Sequence, residues 1–442
     1  MRASTMSRSL AALLCAAALV AWGAGDGARA PLQLRPAFSP PAEAAEYAID
    51  RVVVKFAPPI APAAIDAAFG PLGARWLSSG IDRAFDVLSV APGTVEDWVA
   101  LLSRLPGVEY AEPDYVAWMT GSPNDPYFDP YQWNFFDRGA LSNGVASNFG
   151  VQGQSAWDSA TGSGVTVAIV DTGIAYENDG AFVQAPDLAG QTFVDPWDFV
   201  NGDSHANDDN GHGTHVAGTV AQATNNALGV AGLAYASKLM PVKVLNASGS
   251  GYHSWIADGI RWAANHGAFV INLSLGSSSG SSTLQNAVND AWNAGSVLCA
   301  ATGNAGTGKI SYPARYTPCI AVGATRFDGK RCSYSQWGTG IDVVAPGGDV
   351  GVDQNLDGYG DGILQQTFSG GYGNFSYWFF EGTSMATPHV AAIAALRKSF
   401  KSGDTNSQVR TAIESTTKDL GSKGYDTRFG YGLVDAKAAV NY

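Results

Sequence analysis

Basic residues are scarce in this chain: 26 Lys and Arg stand against 39 Asp and Glu, a formal net charge of −13. A nucleic-acid-binding surface needs a basic footprint to neutralise phosphates, so this balance argues against that class. Charge of either sign is sparse, at 15% of residues against 46% hydrophobic, which leaves ample material for a core and argues against disorder. No stretch reaches the roughly 20 apolar residues of a membrane helix. There is no internal repeat and no low-complexity tail. Cysteine is rare too, with four in 442 residues.

The first of those cysteines lies in a segment that reads as an address rather than as fold. Arg2 and Arg8 form a basic start, residues 10–22 a short apolar run, and Ala28-Arg29-Ala30 a small-x-small cleavage site. The expectation is export with cleavage after Ala30, giving a secreted protein (extracellular or periplasmic) with no membrane attachment after signal removal. A lipid anchor on Cys15 is disfavoured by the bulky Leu14 before it. Removing the signal leaves Cys299, Cys319 and Cys332, an odd number. Cys319 and Cys332 flank a hairpin-type turn at Asp328-Gly329 and are the better pair for a disulfide; the alternative is three buried thiols acting as small apolar residues.

Two patterns of organisation follow. Residues 31–46, rich in Pro and Ala, read as a leader, and a compact unit spans 47–118. Its strands are expected at 51–56, 84–90 and 108–115, with helices at 61–72 and after Thr94, which is placed as a helix cap. That second helix carries Val95, Trp98, Leu101 and Leu102 on one face. Strands and helices interleaved in this way suggest a small α+β split βαβ sandwich. The Gly/Ser/Pro/Asn stretch at 121–126 marks a boundary.

Beyond it, apolar runs at 165–170, 239–245, 269–275, 297–301, 320–324 and 341–345 are nearly continuous, as for strands buried on both faces of a parallel sheet. Helical stretches at 212–223, 254–266 and 283–294 separate them. The expected fold is α/β, a doubly wound, mostly parallel sheet. Ligands of such sheets gather at the carboxyl ends of the strands. Asp171, Gly276 and Asn304 follow three of these runs and nominate one site.

Three segments carry the chemistry: Val170-Asp171-Thr172-Gly173, Gly211-His212-Gly213-Thr214-His215 and Gly382-Thr383-Ser384-Met385-Ala386-Thr387-Pro388-His389. A serine hydroxyl is a poor nucleophile near neutral pH and needs an adjacent base. Histidine can take its proton, and a buried carboxylate fixes the imidazole tautomer. His212 and His215 at i, i+3 lack the adjacent Glu of a zinc-protease helix, and Gly-Thr-Ser-Met-Ala is not the G-x-S-x-G elbow of lipases. His215 and His389 read as helix-packing residues.

In residue content and in their Asp, His, Ser order, these segments resemble the signature motifs of the subtilisin-type serine peptidases, the subtilases. The resemblance covers about residues 123–442 and is strongest to the thermitase-like branch, through NDPYF at 124, HGTHVAG at 212 and GTSMATPHVA at 382. It implies a triad of Asp171, His212 and Ser384, with Asn304 as side-chain donor to the oxyanion. It places Ser274, Leu275 and Gly276 on one wall of the P1 pocket, Thr302 and Gly303 opposite, and Ser311 at the floor. Ser250 and Gly251 would add a strand edge, and His253 would line an outer subsite. No charged side chain stands at the P1 positions Ser274, Leu275, Gly276, Thr302, Gly303 and Ser311, so apolar or aromatic P1 residues are expected.

The resemblance also implies structural calcium. A first site would use Asp125, Asp187, the Asn226 side chain and the carbonyls of Thr224, Leu228 and Val230. A second would use Asp198, Asn201 and Asp203, with neutral Asn201 where relatives can carry a carboxylate. A third lies in an insertion at about 348–380, where Asp353-x-Asn355-x-Asp357-Gly358, with Asp361 at the ninth position, matches the start of an EF-hand loop without its final Glu. The organisation implied is a signal peptide at 1–30, a propeptide at 31–120 and a peptidase domain at 121–442. The propeptide, with its VEYAEPDY end, would act as chaperone and inhibitor of its own enzyme and be removed by self-processing. The partners are then protein and peptide substrates. A catalytically silent binding protein of the same fold is the alternative, and the intact triad argues against it.

Overall fold

The structure, a computed structural model, describes residues 47–115, 122–136, 139–140 and 145–442. The export signal, the leader and the stretch 116–120 with Met119 lie outside the described residues. The chain divides into two compact units, with the division between Ser122 and Pro123.

In the smaller unit, β1 (Tyr47–Phe56), α1 (Pro62–Phe69), β2 (Arg75–Ser79), β3 (Asp86–Ser89), α2 (Val95–Leu102) and β4 (Val108–Tyr115) follow in order. The sheet order is β2-β3-β1-β4, antiparallel throughout. Its core gathers Val52, Val54, Ile65, Leu88, Trp98 and Leu102. Strand β2 was not expected: an edge strand with no buried residue carries no apolar alternation to read. Two further corrections fall on α2. Leu101 is 41% exposed, off the buried face. Thr94 precedes the helix but does not cap it, because its hydroxyl donates backwards to the Ala91 carbonyl at 2.7 Å.

The larger unit is built on a seven-stranded sheet: β5 (Thr166–Asp171), β6 (Trp197–Asp198), β7 (Lys238–Lys243), β8 (Val270–Leu273), β9 (Val297–Ala301), β10 (Cys319–Thr325) and β11 (Val343–Pro346). Their spatial order is β11-β10-β9-β8-β5-β7-β6, and every pair is parallel. Side chains alternate between two cores. Val167 and Ile169 face one, packed with α3 (His212–Ala221); Ala168 and Val170 face the other, packed with α4 (His253–Asn265) and α5 (Ser282–Asn293). Burial on both faces explains the near-continuous apolar runs. A hairpin of β12 (Ile363–Phe368) and β13 (Phe375–Phe380) precedes α6 (Thr383–Phe400), whose Ala391, Ala392, Ala394 and Ala395 are fully buried in the first core. No helix among the described residues is long and apolar enough to cross a membrane.

The disulfide expected between Cys319 and Cys332 does not form. All three described cysteines are free and buried. The turn at Asp328-Gly329 exists, with Thr325 bridging Arg331, but Cys319 packs into the core on one sheet face and Cys332 into the other.

Candidate active site

Asp171 ends β5 at the carboxyl edge of the sheet and is fully buried. Its backbone carbonyl accepts from Val244 N at 2.9 Å and Leu245 N at 3.1 Å, which pulls the chain after Lys243 out of the regular ladder and ends β7 two residues before the apolar run does. His212 opens α3 after Gly211, whose φ of 101° is a left-handed conformation open to glycine. His212 Nδ1 lies 2.7 Å from Asp171 Oδ1. Ser384, 3% exposed, is the second residue of α6, and its Oγ donates to the Ser274 carbonyl at 3.1 Å. Ser274 Oγ in turn donates to the Ser384 carbonyl at 2.8 Å.

His212 and Ser384 line one cleft of about 530 Å³, together with Ser250, Gly251, His253, Ser274, Leu275 and Gly276. Thr172, Asn210 and Tyr252 line it as well, and the sequence reading passed over them; their adjacency to Asp171, His212 and His253 was the available signal. Among the described residues no Asp, Glu, Lys or Arg lines this cleft. Asn304 anchors its carbonyl oxygen on Thr383, accepting from the backbone N–H at 2.9 Å and from Oγ1 at 2.8 Å. That fixes the amide orientation and leaves Nδ2 on the side of Gly382, two residues before the Ser384 backbone. Thr302, Gly303 and Ser311 are buried, and Gln336 packs against two of them: its Oε1 is 3.4 Å from Ser311 Oγ and its backbone N–H donates to the Gly303 carbonyl at 2.8 Å.

A buried carboxylate bonded to an imidazole, with a serine at the start of a neighbouring helix, is the arrangement on which comparison with known proteins bears. The subtilase family profile matches residues 162–432. The chain belongs to the subtilase family. The fervidolysin N-terminal prodomain profile matches residues 36–114. The thermophilic serine proteinase of Bacillus sp. (strain AK1) is 41% identical over 363 residues, 82% of this chain and 79% of that protein. Thermitase of Thermoactinomyces vulgaris is 42% identical over 321 residues, 73% of this chain and all of thermitase. Subtilisin Savinase of Lederbergia lenta is 47% identical over 280 residues, 63% of this chain and 92% of that protein. A solved structure of a protease from Pseudoalteromonas arctica matches with a TM-score of 0.62 at 36% identity, covering 72% of this chain and 98% of its own. This subtilase is a serine endopeptidase that carries an N-terminal prodomain.

The residues expected to hold calcium fall into three groups of unequal fit. In the first, Asp187 Oδ1 accepts from Asn226 Nδ2 at 2.8 Å, and Oδ2 accepts from Val230 N and the Tyr377 hydroxyl, both at 3.1 Å. Asp125, 3% exposed, accepts from Asn225 N at 2.9 Å through Oδ2, while its buried Oδ1 has no hydrogen-bond partner. Burial, with the neighbouring charge of Asp125, pushes the Asp187 carboxyl up to about 8. Two such carboxylates and an orphaned oxygen fit a hard cation, with Thr224, Leu228 and Val230 on the loop that carries Asn226.

The second group fits less well, because only Asp198 is buried and both Asn201 and Asp203 are exposed. Asp198 Oδ1 accepts from Val200 N and Asn201 N, and Asp198 Oδ2 accepts from Asn201 Nδ2 at 2.9 Å. Asp203 Oδ1 accepts from His205 N. Nearby, His205 Nδ1 sits 2.9 Å from Glu177 Oε1 and 3.7 Å from Asp179 Oδ2, a surface cluster the sequence reading did not foresee.

The third group is laced by bonds within its own loop, although its three aspartates do not close into one metal-sized cluster. Asp361 accepts from Gln354 N at 3.0 Å, Asn355 Nδ2 donates to Asp357 Oδ2 at 2.8 Å, and Gly358 N donates to Asp353 Oδ2 at 3.1 Å. Burial, with the charges of neighbouring aspartates, pushes Asp357 up to about 6 and Asp361 to about 7. These groups fit a cation that would offset their mutual repulsion.

Proposed function

We propose that this subtilase is a secreted, self-processing endopeptidase with an apolar or aromatic P1 preference, in which Ser384 is the nucleophile, His212 the general base and Asp171 its orienting carboxylate. The observation that carries the reading is the 2.7 Å contact between His212 Nδ1 and Asp171 Oδ1, in the cleft that Ser384 lines. With Nδ1–H donating to Asp171, Nε2 is the basic nitrogen. Ser384 Oγ attacks the substrate carbonyl carbon as His212 Nε2 takes its proton. The Asn304 Nδ2 and the Ser384 backbone N–H donate to the developing oxyanion. Collapse breaks the C–N bond, and the imidazolium proton passes to the leaving amine. Water then attacks the acyl ester by the same route and frees Ser384.

The uncharged lining of the cleft supports apolar side chains, because an unpaired ionic side chain would lose hydration there without compensation. The start of the chain supports export, and the prodomain match supports processing from a precursor of the organisation 1–30, 31–120 and 121–442. Calcium at Asp125 and Asp187, and at Asp353, Asn355, Asp357 and Asp361, would supply charge neutralisation that holds loops, not a catalytic group. A fluorophosphonate probe tests the reading. It should label the protein once, at Ser384, and labelling should vanish in Ser384→Ala; a label elsewhere would refute the assignment.

A further inference from the structure

Asp171 and His212 are 41 positions apart and sit on different elements, so their hydrogen bond depends on whatever holds the end of β5 against the start of α3. One carboxylate, outside the triad, spans that junction. Asp208 is 1% exposed and receives five hydrogen bonds. Its Oδ1 accepts from Thr172 Oγ1 at 2.8 Å, Asn210 N at 3.0 Å and Gly211 N at 2.9 Å. Its Oδ2 accepts from Thr214 N at 2.9 Å and Thr214 Oγ1 at 2.6 Å. Both threonine hydroxyls then accept in turn: Thr172 Oγ1 from Gly213 N at 2.8 Å, and Thr214 Oγ1 from Ala175 N at 2.9 Å.

The pattern is a staple between two segments of the chain. Thr172 and Ala175 belong to the segment leaving Asp171; Asn210, Gly211, Gly213 and Thr214 flank His212. Thr172 also donates its N–H to Asp171 Oδ1 at 2.7 Å, so the same residue touches both carboxylates. Three of the donors are backbone N–H groups that cannot accept, which suits an ionised carboxylate. Burial raises the Asp208 pKa, and the bonds from Thr214, Gly211 and Asn210 pull it back. The first-turn amides of α3 add a favourable field for the anion.

We propose that Asp208 is a positioning residue for catalysis: by holding Thr172 and Thr214 on one carboxylate, it fixes the spacing of Asp171 and His212. This rests on the triad assignment above. An amide cannot replace it, since Asp208→Asn must turn an NH2 towards groups that are themselves donors. A misplacement of reacting groups by about 1 Å can cost a hundredfold in rate. Asp208→Asn is therefore expected to lower kcat by about ten- to a hundredfold, with KM changed far less, because Asp208 does not itself line the cleft and the walls at Ser250–Gly251 and Ser274–Gly276 do not depend on it.

The test uses the full chain and a chromogenic peptide, with rates referred to the folded fraction from circular dichroism and a melting curve. Folded Asp208→Asn with parental kcat and only a lower Tm would overturn the proposal, because that is the signature of a structural role. If that variant does not fold, Thr214→Val and Thr214→Ser decide. Valine should lose kcat and serine, which keeps the hydroxyl, should restore it; equal kcat in both overturns the proposal. Ser384→Ala is run alongside. Should it still cleave the peptide, the triad assignment fails instead, and the two failures are told apart.

Discussion

The imidazole of His215 lies flat on the Phe380 ring, 4.2 Å between centroids and 3° from parallel. Its Nε2 donates to the carbonyls of Ile363 at 3.1 Å and Trp378 at 3.0 Å, which pins the β12–β13 hairpin to the helix that begins at His212. The His215 Nδ1 is buried with no hydrogen-bond partner, so a second proton would have no acceptor.

That geometry predicts acid lability. Burial lowers His215 to about 3 and His389 to about 4. His389 Nδ1 donates to the Met385 carbonyl at 2.9 Å, and Nε2 faces Asn134 Nδ2 at 2.8 Å, again leaving no room for the cation. Between the ordinary histidine value and these folded values the unfolded chain binds more protons, so stability falls as pH drops below about 6.5. Urea unfolding of Ser384→Ala, which avoids autolysis, should show this fall. Adding His389→Gln should flatten the slope between about pH 6 and pH 4 by up to about 1.4 kcal/mol per unit. An unchanged slope would show that His389 does not carry the effect.

Asn304→Ala should reduce kcat by about a hundred- to a thousandfold at nearly constant KM, the loss known for such a donor within this family. Steady-state kinetics on one peptide suffices. A rise in KM alone would mean that Asn304 binds substrate in its ground state.

Excess chelator should lower the melting temperature of the mature enzyme. At a calcium concentration a hundred times its dissociation constant, one native-only site contributes about 2.7 kcal/mol. Asp125→Ala should remove most of the chelator response if the first group dominates. Replacing Asp353 and Asp357 by Ala isolates the contribution of the 353–361 loop. A Tm indifferent to both chelator and Asp125→Ala would exclude calcium from these positions.

Ser384→Ala should accumulate as an export-cleaved precursor, with residues from about 31 to 120 still attached. The segment 115–120 (YVAWMT) offers apolar residues such as Met119 to an uncharged cleft. Truncation removes the attacking oxygen and leaves the binding residues in place. Mass spectrometry of the variant from a host lacking related proteases gives the answer. A normally trimmed product there would mean that another enzyme does the cutting.

What the sequence made legible follows from where its information is stored. The sheet strands could be read because both faces are apolar, and Asp171, His212 and Ser384 could be nominated because each sits in a short Gly-rich motif. The β12–β13 hairpin was not legible. Gln365, Gln366 and Thr367 are almost fully buried there, tied in by contacts such as Asp187 N to Gln366 Oε1 and Thr367 Oγ1 to the Gly211 carbonyl, across more than 150 residues. Such burial is decided by tertiary partners, not by local pattern. The role of Gln336 behind Gly303 escaped notice for the same reason. The cysteine pairing failed because sequence spacing says nothing about which sheet face a side chain meets.

Those three thiols give the fold a silent reporter. Cys299, Cys319 and Cys332 are at most 1% exposed, and burial raises each thiol's pKa further from the reactive thiolate. With no crosslink among them, the native enzyme should be indifferent to reductant and invisible to alkylating agents. Each chain that opens presents three sulfurs at once, so the rate of thiol capture becomes a stopwatch for global unfolding. It runs without substrate and reads durability separately from turnover.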